Sequence, residues 1–183
     1  MIREAVTVQI DKQYMDYLAS TREGRNGGSE VIMVLPRPGG KVLVSSKYFY
    51  PEGVFRLPTG GINPIESPEE AFERETWEET GLVASIERKI AVIVHHCTNG
   101  SDRIDITSHV FLGSETSATP EPKDARERIR EFMEVDARGL LVIADQLRGL
   151  FGRWQGFGRF RADAHDLVAH CLLQDHMFQG PTR

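Results

Sequence analysis

Residues 4–10, EAVTVQI, alternate apolar and polar positions and predict a first strand. The polar, glycine-bearing stretch TREGRNGGSE at 21–30 predicts a loop. A hairpin is expected next: an apolar run at 31–35, a turn at Pro36–Gly40 and a second strand from Lys41. Pro51-Glu52-Gly53 turns the chain again, and VFRL at 54–57 delivers it to a glycine loop. Residues 83–97 predict one long strand or two separated by a bend, and 104–114 predict another. The polar, proline-bearing residues 115–128 predict a surface loop, and IREFMEVD at 129–136 a further strand. A helical pattern at about 137–150 and a last amphipathic helix from Asp163 to about Met177 close the chain. The last helix is expected to turn Leu167, Val168, Cys171, Leu172 and Met177 toward the core. With no linker or internal repeat, 1–183 reads as a single domain.

Between 57 and 82 the pattern changes character. LPTGGINPIESPEEAFERETWEETGL reads as a glycine loop entering one acidic helix, from about Pro68 to Glu79. Ser67 is a suitable N-cap, Pro68 fits the first helical position, and Glu70 completes a capping box. Gly81 supplies the stop, because it can take a left-handed conformation beyond the last turn. At roughly 100° per residue, Glu75, Glu78 and Glu79 fall within about 100° of one another, on or beside the arc of Ala71 and Phe72. A solvated helix would place its acids opposite that apolar stripe. Glu75–Glu78 and Glu75–Glu79 repel by roughly 0.2–0.5 kcal/mol each, and Arg74 offsets only part of this. A divalent cation would relieve the remainder, and carboxylates that share a phosphate substrate suit Mg²⁺ or Mn²⁺.

The spacing also resembles a known family. Gly60, five residues, Glu66, seven residues, then Arg74-Glu75-Thr76-Trp77-Glu78-Glu79-Thr80-Gly81-Leu82 is similar to the Nudix box of the Nudix hydrolases. Two positions depart from it: Thr76 stands where an aliphatic residue is usual, and Ile65 replaces a glycine before Glu66. The resemblance implies an α/β fold, a Nudix-type α/β/α sandwich with a mixed β-sheet. It implies metal ligation by Glu78, Glu79 and the backbone carbonyl of Thr59, with Glu75 as a further ligand or as the base. Arg74 would hold the glutamates and Glu66 would support the metal shell. A distal glutamate often completes such sites. Glu127, just before the strand at 129–136, is the candidate, against the plainer reading of a solvated loop acid.

Composition narrows the partners. Hydrophobic residues make up 40% and charged residues 27%, ordinary values for a globular protein. Residues 66–79 hold seven glutamates and one arginine, so this segment carries −6 of an overall −5 and the remainder sums to +1. A locally acidic site on a near-neutral body does not suggest general binding to nucleic acid or membrane. Cys97 and Cys171 lack metal or redox spacing and read as free core thiols. No secretory pattern opens the chain and no apolar run could span a bilayer, so a cytoplasmic location is expected, with a homodimer left open.

Substrate choice is less legible. Lys47, Tyr48, Tyr50, Phe55 and Arg56 precede the box and could meet a base and phosphates, or pack as an ordinary strand. Of His95 and His96, at most one should face a ligand. RGLFGRWQGFGRFR at 148–161 has four arginines and no acid, and reads as a basic loop or an RNA contact. The reading is hydrolysis of the phosphoanhydride of a nucleoside diphosphate linked to another moiety, such as ADP-ribose, a dinucleotide, a nucleotide sugar or a nucleoside triphosphate. A silent ligand-binding regulator and a cap-type RNA-processing enzyme are the alternatives.

Overall fold

The computed structural model describes residues 1–22 and 27–174. The chain begins with β1 (Ile2–Gln9) and α1 (Lys12–Arg22). It continues through β2 (Glu30–Val34), β3 (Pro36–Arg37), β4 (Lys41–Lys47) and β5 (Thr59–Gly61) to α2 (Pro68–Thr80). β6 (Ile86–Thr98), β7 (Arg103–Gly113) and β8 (Ile129–Val135) follow, then α3 (Ala137–Arg148) and α4 (Gln155–Gln174).

Among the described residues the strands form two sheets. One has the order β1-β6-β7-β2-β5 and the other β3-β4-β8. In the first, β1/β6 and β2/β7 are parallel while β6/β7 and β2/β5 are antiparallel, so the sheet is mixed. Strand alternation explains the layering. Val31 and Met33 of β2 enter a cluster with Ala71 and Phe72 of α2, whereas Ile32 and Val34 enter the larger cluster with Leu18, Phe160 and Val168. Helices therefore cover both faces, as expected of the α/β/α sandwich. No helix among the described residues is long and apolar enough to cross a membrane.

Three expectations need correction. The segment read as a loop from Thr21 carries the end of α1, which starts where Asp11 Oδ1 accepts the Tyr14 N–H at 2.8 Å and which buries Tyr14, Met15 and Leu18. The hairpin at 31–47 is split between sheets: the chain leaves the first sheet after Val34, and it is β3 that pairs with β4. The last helix begins at Gln155 rather than Asp163, so most of the basic segment is helical; Met177 lies outside the described residues. Residues 86–98 form one strand, with register shifts between Ile86 and Arg88 and between Lys89 and Ala91. Cys97 is a buried free thiol, and Cys171 is only partly buried.

Candidate active site

The acidic helix forms where its local signals place it. Ser67 and Glu70 make both capping-box hydrogen bonds, and Gly81 closes the helix at φ 65° with its N–H on the Trp77 carbonyl. The buried stripe is Ala71, Phe72, Glu75, Thr76, Glu79 and Thr80, so acids do share the apolar face. Glu79 is wholly buried and Glu75 nearly so.

Cations from three segments meet these acids. Arg74 donates to both oxygens of Glu66 at 2.7 Å, to Glu75 Oε1 at 2.7 Å, to Glu78 Oε2 at 2.9 Å and to the Gly61 carbonyl at 2.9 Å. Glu66 also accepts the Asn63 N–H, so the loop holds it in place despite Ile65, whose side chain is fully exposed. Lys47 Nζ lies 2.8 Å from Glu79 Oε1 and 2.7 Å from Glu127 Oε2. Arg56 Nη2 is 3.7 Å from the same oxygen of Glu79. The Glu79 contacts are ion pairs rather than aligned hydrogen bonds, and neither of its oxygens has an aligned donor.

Burial pushes the Glu75 carboxyl up to about 7, against the pull of Arg74 and with help from Glu79 and Glu127. Glu127 goes the other way: burial alone would raise it, but Lys47 holds it below its ordinary value. Gly60 explains how Glu75 fits. A Cβ there would stand 1.9 Å from Glu75 Cδ and 2.0 Å from Cγ, so the carboxylate lies directly on the β5 backbone.

Glu127 is not a solvated loop acid. The loop carrying it caps the end of α2: Glu121 N–H donates to the Thr80 carbonyl, and the Lys123 and Asp124 N–H groups donate to that of Glu78. A 3-10 turn at Ala125–Glu127 follows, ending at Arg128 with φ 53°, the one non-glycine residue of positive φ among those described.

A cleft of about 450 Å³ opens from this cluster. Its lining includes Thr59, Gly60, Gly61, Glu75, Lys47 and Glu127 of the cluster. It also includes the rings of Tyr14, Tyr17, Phe49, Tyr50, Trp154 and Phe157, with Arg153, Arg161 and Glu30. Of the residues picked out before the box, Lys47, Tyr50 and Arg56 line the cleft. Tyr48 and Phe55 do not: Tyr48 is exposed beside Arg130, and Phe55 packs on the core. The Arg56 guanidinium serves internal partners, donating to Tyr50 Oη, the Leu57 carbonyl and Thr59 Oγ1 at 2.7–2.8 Å. Neither His95 nor His96 reaches the cleft. His95 is buried against Phe160, and His96 bonds Asp105 on the neighbouring strand.

The basic segment is tied inward. Arg148 pairs with Asp163 and Asp166, Arg159 donates to the Gln9 carbonyl, and Arg161 bonds Glu30 at 2.7 Å. Burial would raise Glu30, but Arg161 and the Ser108 hydroxyl hold it low. Sequence reasoning missed Phe49, Trp154, Tyr17 and the role of Lys47. Asp11 followed by Tyr14 and Leu18 is the signal that could have found α1.

A divalent ion is implied by the resemblance, and the residues fit one. The donor set is all oxygen, and Glu79 offers a buried carboxylate without an aligned donor. Among the described residues no three acidic, His or Cys side chains converge as a ready-made ligand set; Arg74 and Lys47 hold the carboxylates instead.

The NUDIX domain model matches residues 28–151, more than half the chain. Among solved structures the chain is similar to the NUDIX domain of Shewanella oneidensis NrtR complexed with ADP ribose, at 18% identity and TM-score 0.53, covering 86% of this chain and 97% of that one. A NUDIX hydrolase from Nitrosomonas europaea gives 19% identity and TM-score 0.51, covering 64% and 78%. The E. coli ORF135 protein gives 20% identity and TM-score 0.51, covering 62% and 76%. These likenesses are of fold. No curated protein sequence matches the chain. Tyr14 and Tyr17 of α1, and Trp154, Phe157 and Arg161, stand outside the matched residues, so part of the cleft wall does not belong to the matched stretch.

Proposed function

The chain belongs to the Nudix hydrolase family, and on that premise we propose that it splits the phosphoanhydride of a nucleoside diphosphate linked to a second moiety. The family sets the class, pyrophosphohydrolysis. The observation that carries the finer reading is that carboxylates of the cluster and a set of aromatic rings line the same cleft. Its volume of about 450 Å³ lies within the range of small-molecule sites. Phe49 and Tyr17 line the cleft with about half of their surface exposed, and Trp154 is half-buried. A base stacked among them would place its diphosphate toward Gly60 and Glu75.

Glu78, Glu79 and the Thr59 carbonyl would hold Mg²⁺ or Mn²⁺, with Glu75 beside them and Glu66 supporting through Arg74. The ion, when bound, neutralises charge that develops on the phosphate oxygens. Arg74 orients the carboxylates by its hydrogen bonds to Glu66, Glu75 and Glu78. Glu75 lines the cleft and in this reading would take the proton of the attacking water. Oxygen from that water bonds to phosphorus as the bridging P–O bond breaks, so both products keep phosphate.

The test is hydrolysis in ¹⁸O-water of dinucleotides, nucleotide sugars, nucleoside triphosphates and monophosphates, with Mg²⁺ or Mn²⁺. At least one dinucleotide or nucleotide sugar should yield two phosphorylated products, one of them labelled, while monophosphates turn over poorly. Label found only in free phosphate released from monoesters would overturn the reading. Tight binding of ADP-ribose with no turnover of any substrate would favour the silent regulator instead.

A further inference from the structure

We infer that Lys47 is a built-in cation of the catalytic cluster, filling the place of a second divalent ion at its Glu79–Glu127 side, so that the free protein takes up one divalent cation. This rests on the reading above that the box glutamates hold metal.

The placement of Lys47 is specific. Its ammonium lies 2.8 Å from Glu79 and 2.7 Å from Glu127, and the side chain is almost wholly buried. Two backbone irregularities meet at this point of the β4–β8 ladder. Pairing shifts register between Ser46 and Lys47, so that Ser46 opposes Glu131 and Lys47 opposes Ile129. Across the ladder Arg128 takes φ 53° immediately after Glu127. The extra residue is Arg130 of β8, so both irregularities lie in the segment that follows Glu127. A bulge bends the strand that carries it, and a positive φ in a non-glycine residue persists only where its surroundings enforce it, so this segment is shaped to hold Glu127 against the Lys47 ammonium.

Charge counting agrees. Five carboxylates meet three cations, Arg74, Lys47 and Arg56, through the ion pairs of the cluster. With every group ionised the net charge is −2, which one divalent ion cancels. Without Lys47 the deficit is −3, and Glu79 keeps only the Arg56 guanidinium, at 3.7 Å.

Binding of Mn²⁺ in the absence of substrate reads this directly, by calorimetric titration and by the loss of the free-ion paramagnetic resonance signal. The wild type should bind one ion per chain. Lys47→Met, with its fold checked by circular dichroism, should gain a second ion or bind the first at least about tenfold more tightly. Lys47→Arg should behave as the wild type. Glu127→Gln should still bind one ion, more weakly. Two ions in the wild type would overturn the inference even if Lys47→Met fails to fold. Unchanged or weakened binding in a folded Lys47→Met would overturn it as well. No binding to the wild type at any concentration the protein tolerates would overturn the metal reading itself, and this inference with it.

Discussion

Gly60→Ala isolates the closest contact in the site. A Cβ on residue 60 would stand 1.9 Å from Glu75 Cδ, 2.0 Å from Cγ and 2.3 Å from Oε2. Carbon atoms rest at about 3.5–4.0 Å, so the carboxyl must retreat by roughly 1.5 Å. A retreat of that size breaks the 2.7 Å hydrogen bond from Arg74 and moves Glu75 away from the cleft. Misplacement by about 1 Å can cost a factor of about 10² in rate, so kcat should fall on the order of 10²-fold. Stability should fall as well, by roughly 1–3 kcal/mol of overpacking. Gly60 does not have a left-handed φ, so the backbone itself tolerates alanine. The effect is then steric, and it runs through one side chain. A double-mutant cycle checks that: in a Glu75→Ala background the same substitution should be close to neutral in urea unfolding. Equal losses of stability in the two backgrounds, or a Gly60→Ala enzyme with kcat within a few-fold of the wild type, would refute the reasoning.

Glu79→Gln should lower the metal-free melting temperature, because buried Lys47 and Arg56 then face a neutral amide; the cost is roughly 3–5 kcal/mol. Added Mg²⁺ should raise the melting temperature of the wild type much more than that of the variant, and equal shifts would remove Glu79 from the ligand set. His165 predicts an acid limit to stability. It is buried, accepts the Leu57 N–H on Nε2 at 2.9 Å and donates from Nδ1 to the Arg161 carbonyl at 2.8 Å. Burial lowers it to about 4 from an ordinary 6.5, so its contribution is complete above 6.5 and is lost as pH falls toward 4, by up to about 3 kcal/mol. Urea unfolding across that window should show a shallower pH slope in His165→Gln, the remainder being set by His95, which burial also lowers to about 4, by His109, lowered as well, and in the opposite sense by Glu75, raised to about 7; an unchanged slope would contradict this.

The parts of this protein that were legible in its sequence are those whose causes are local. Ser67, Pro68, Glu70 and Gly81 specify the ends of α2 within a span of 15 residues, and the observed helix differs from the expected one by a single residue. Strand alternation likewise placed most of β1, β7 and β8. Glycine misled where it serves close approach rather than a turn. Gly156 and Gly158 read as loop residues, yet both are helical. A Cβ at 158 would stand 2.0 Å from the Leu147 carbonyl oxygen, and one at 156 would stand 2.7 Å from Tyr14 Cβ. These glycines let α4 press against the end of α3 and against α1, which is how Phe157 comes to meet the Tyr14 ring edge-on at 6.3 Å with Trp154 packed on Phe157. Nothing in a local window distinguishes that use from a helix break.

The electrostatics of the acidic helix were overread for a related reason. Its own sequence supplies six glutamates and one arginine, which suggests repulsion that Arg74 offsets only in part and a metal would relieve. Folding brings Lys47 and Arg56 to Glu79 from 32 and 23 residues away in the chain. It brings Glu127 to Lys47 from 80 residues away. The charge left for a divalent ion is therefore set by the register of β4 against β8 as much as by the box. A one-residue slip there would turn the Lys47 ammonium to the opposite face of its strand. Glu79 would then lose the cation 2.8 Å from it while remaining wholly buried. The motif names the carboxylates, and a ladder outside the motif decides how much positive charge they still require.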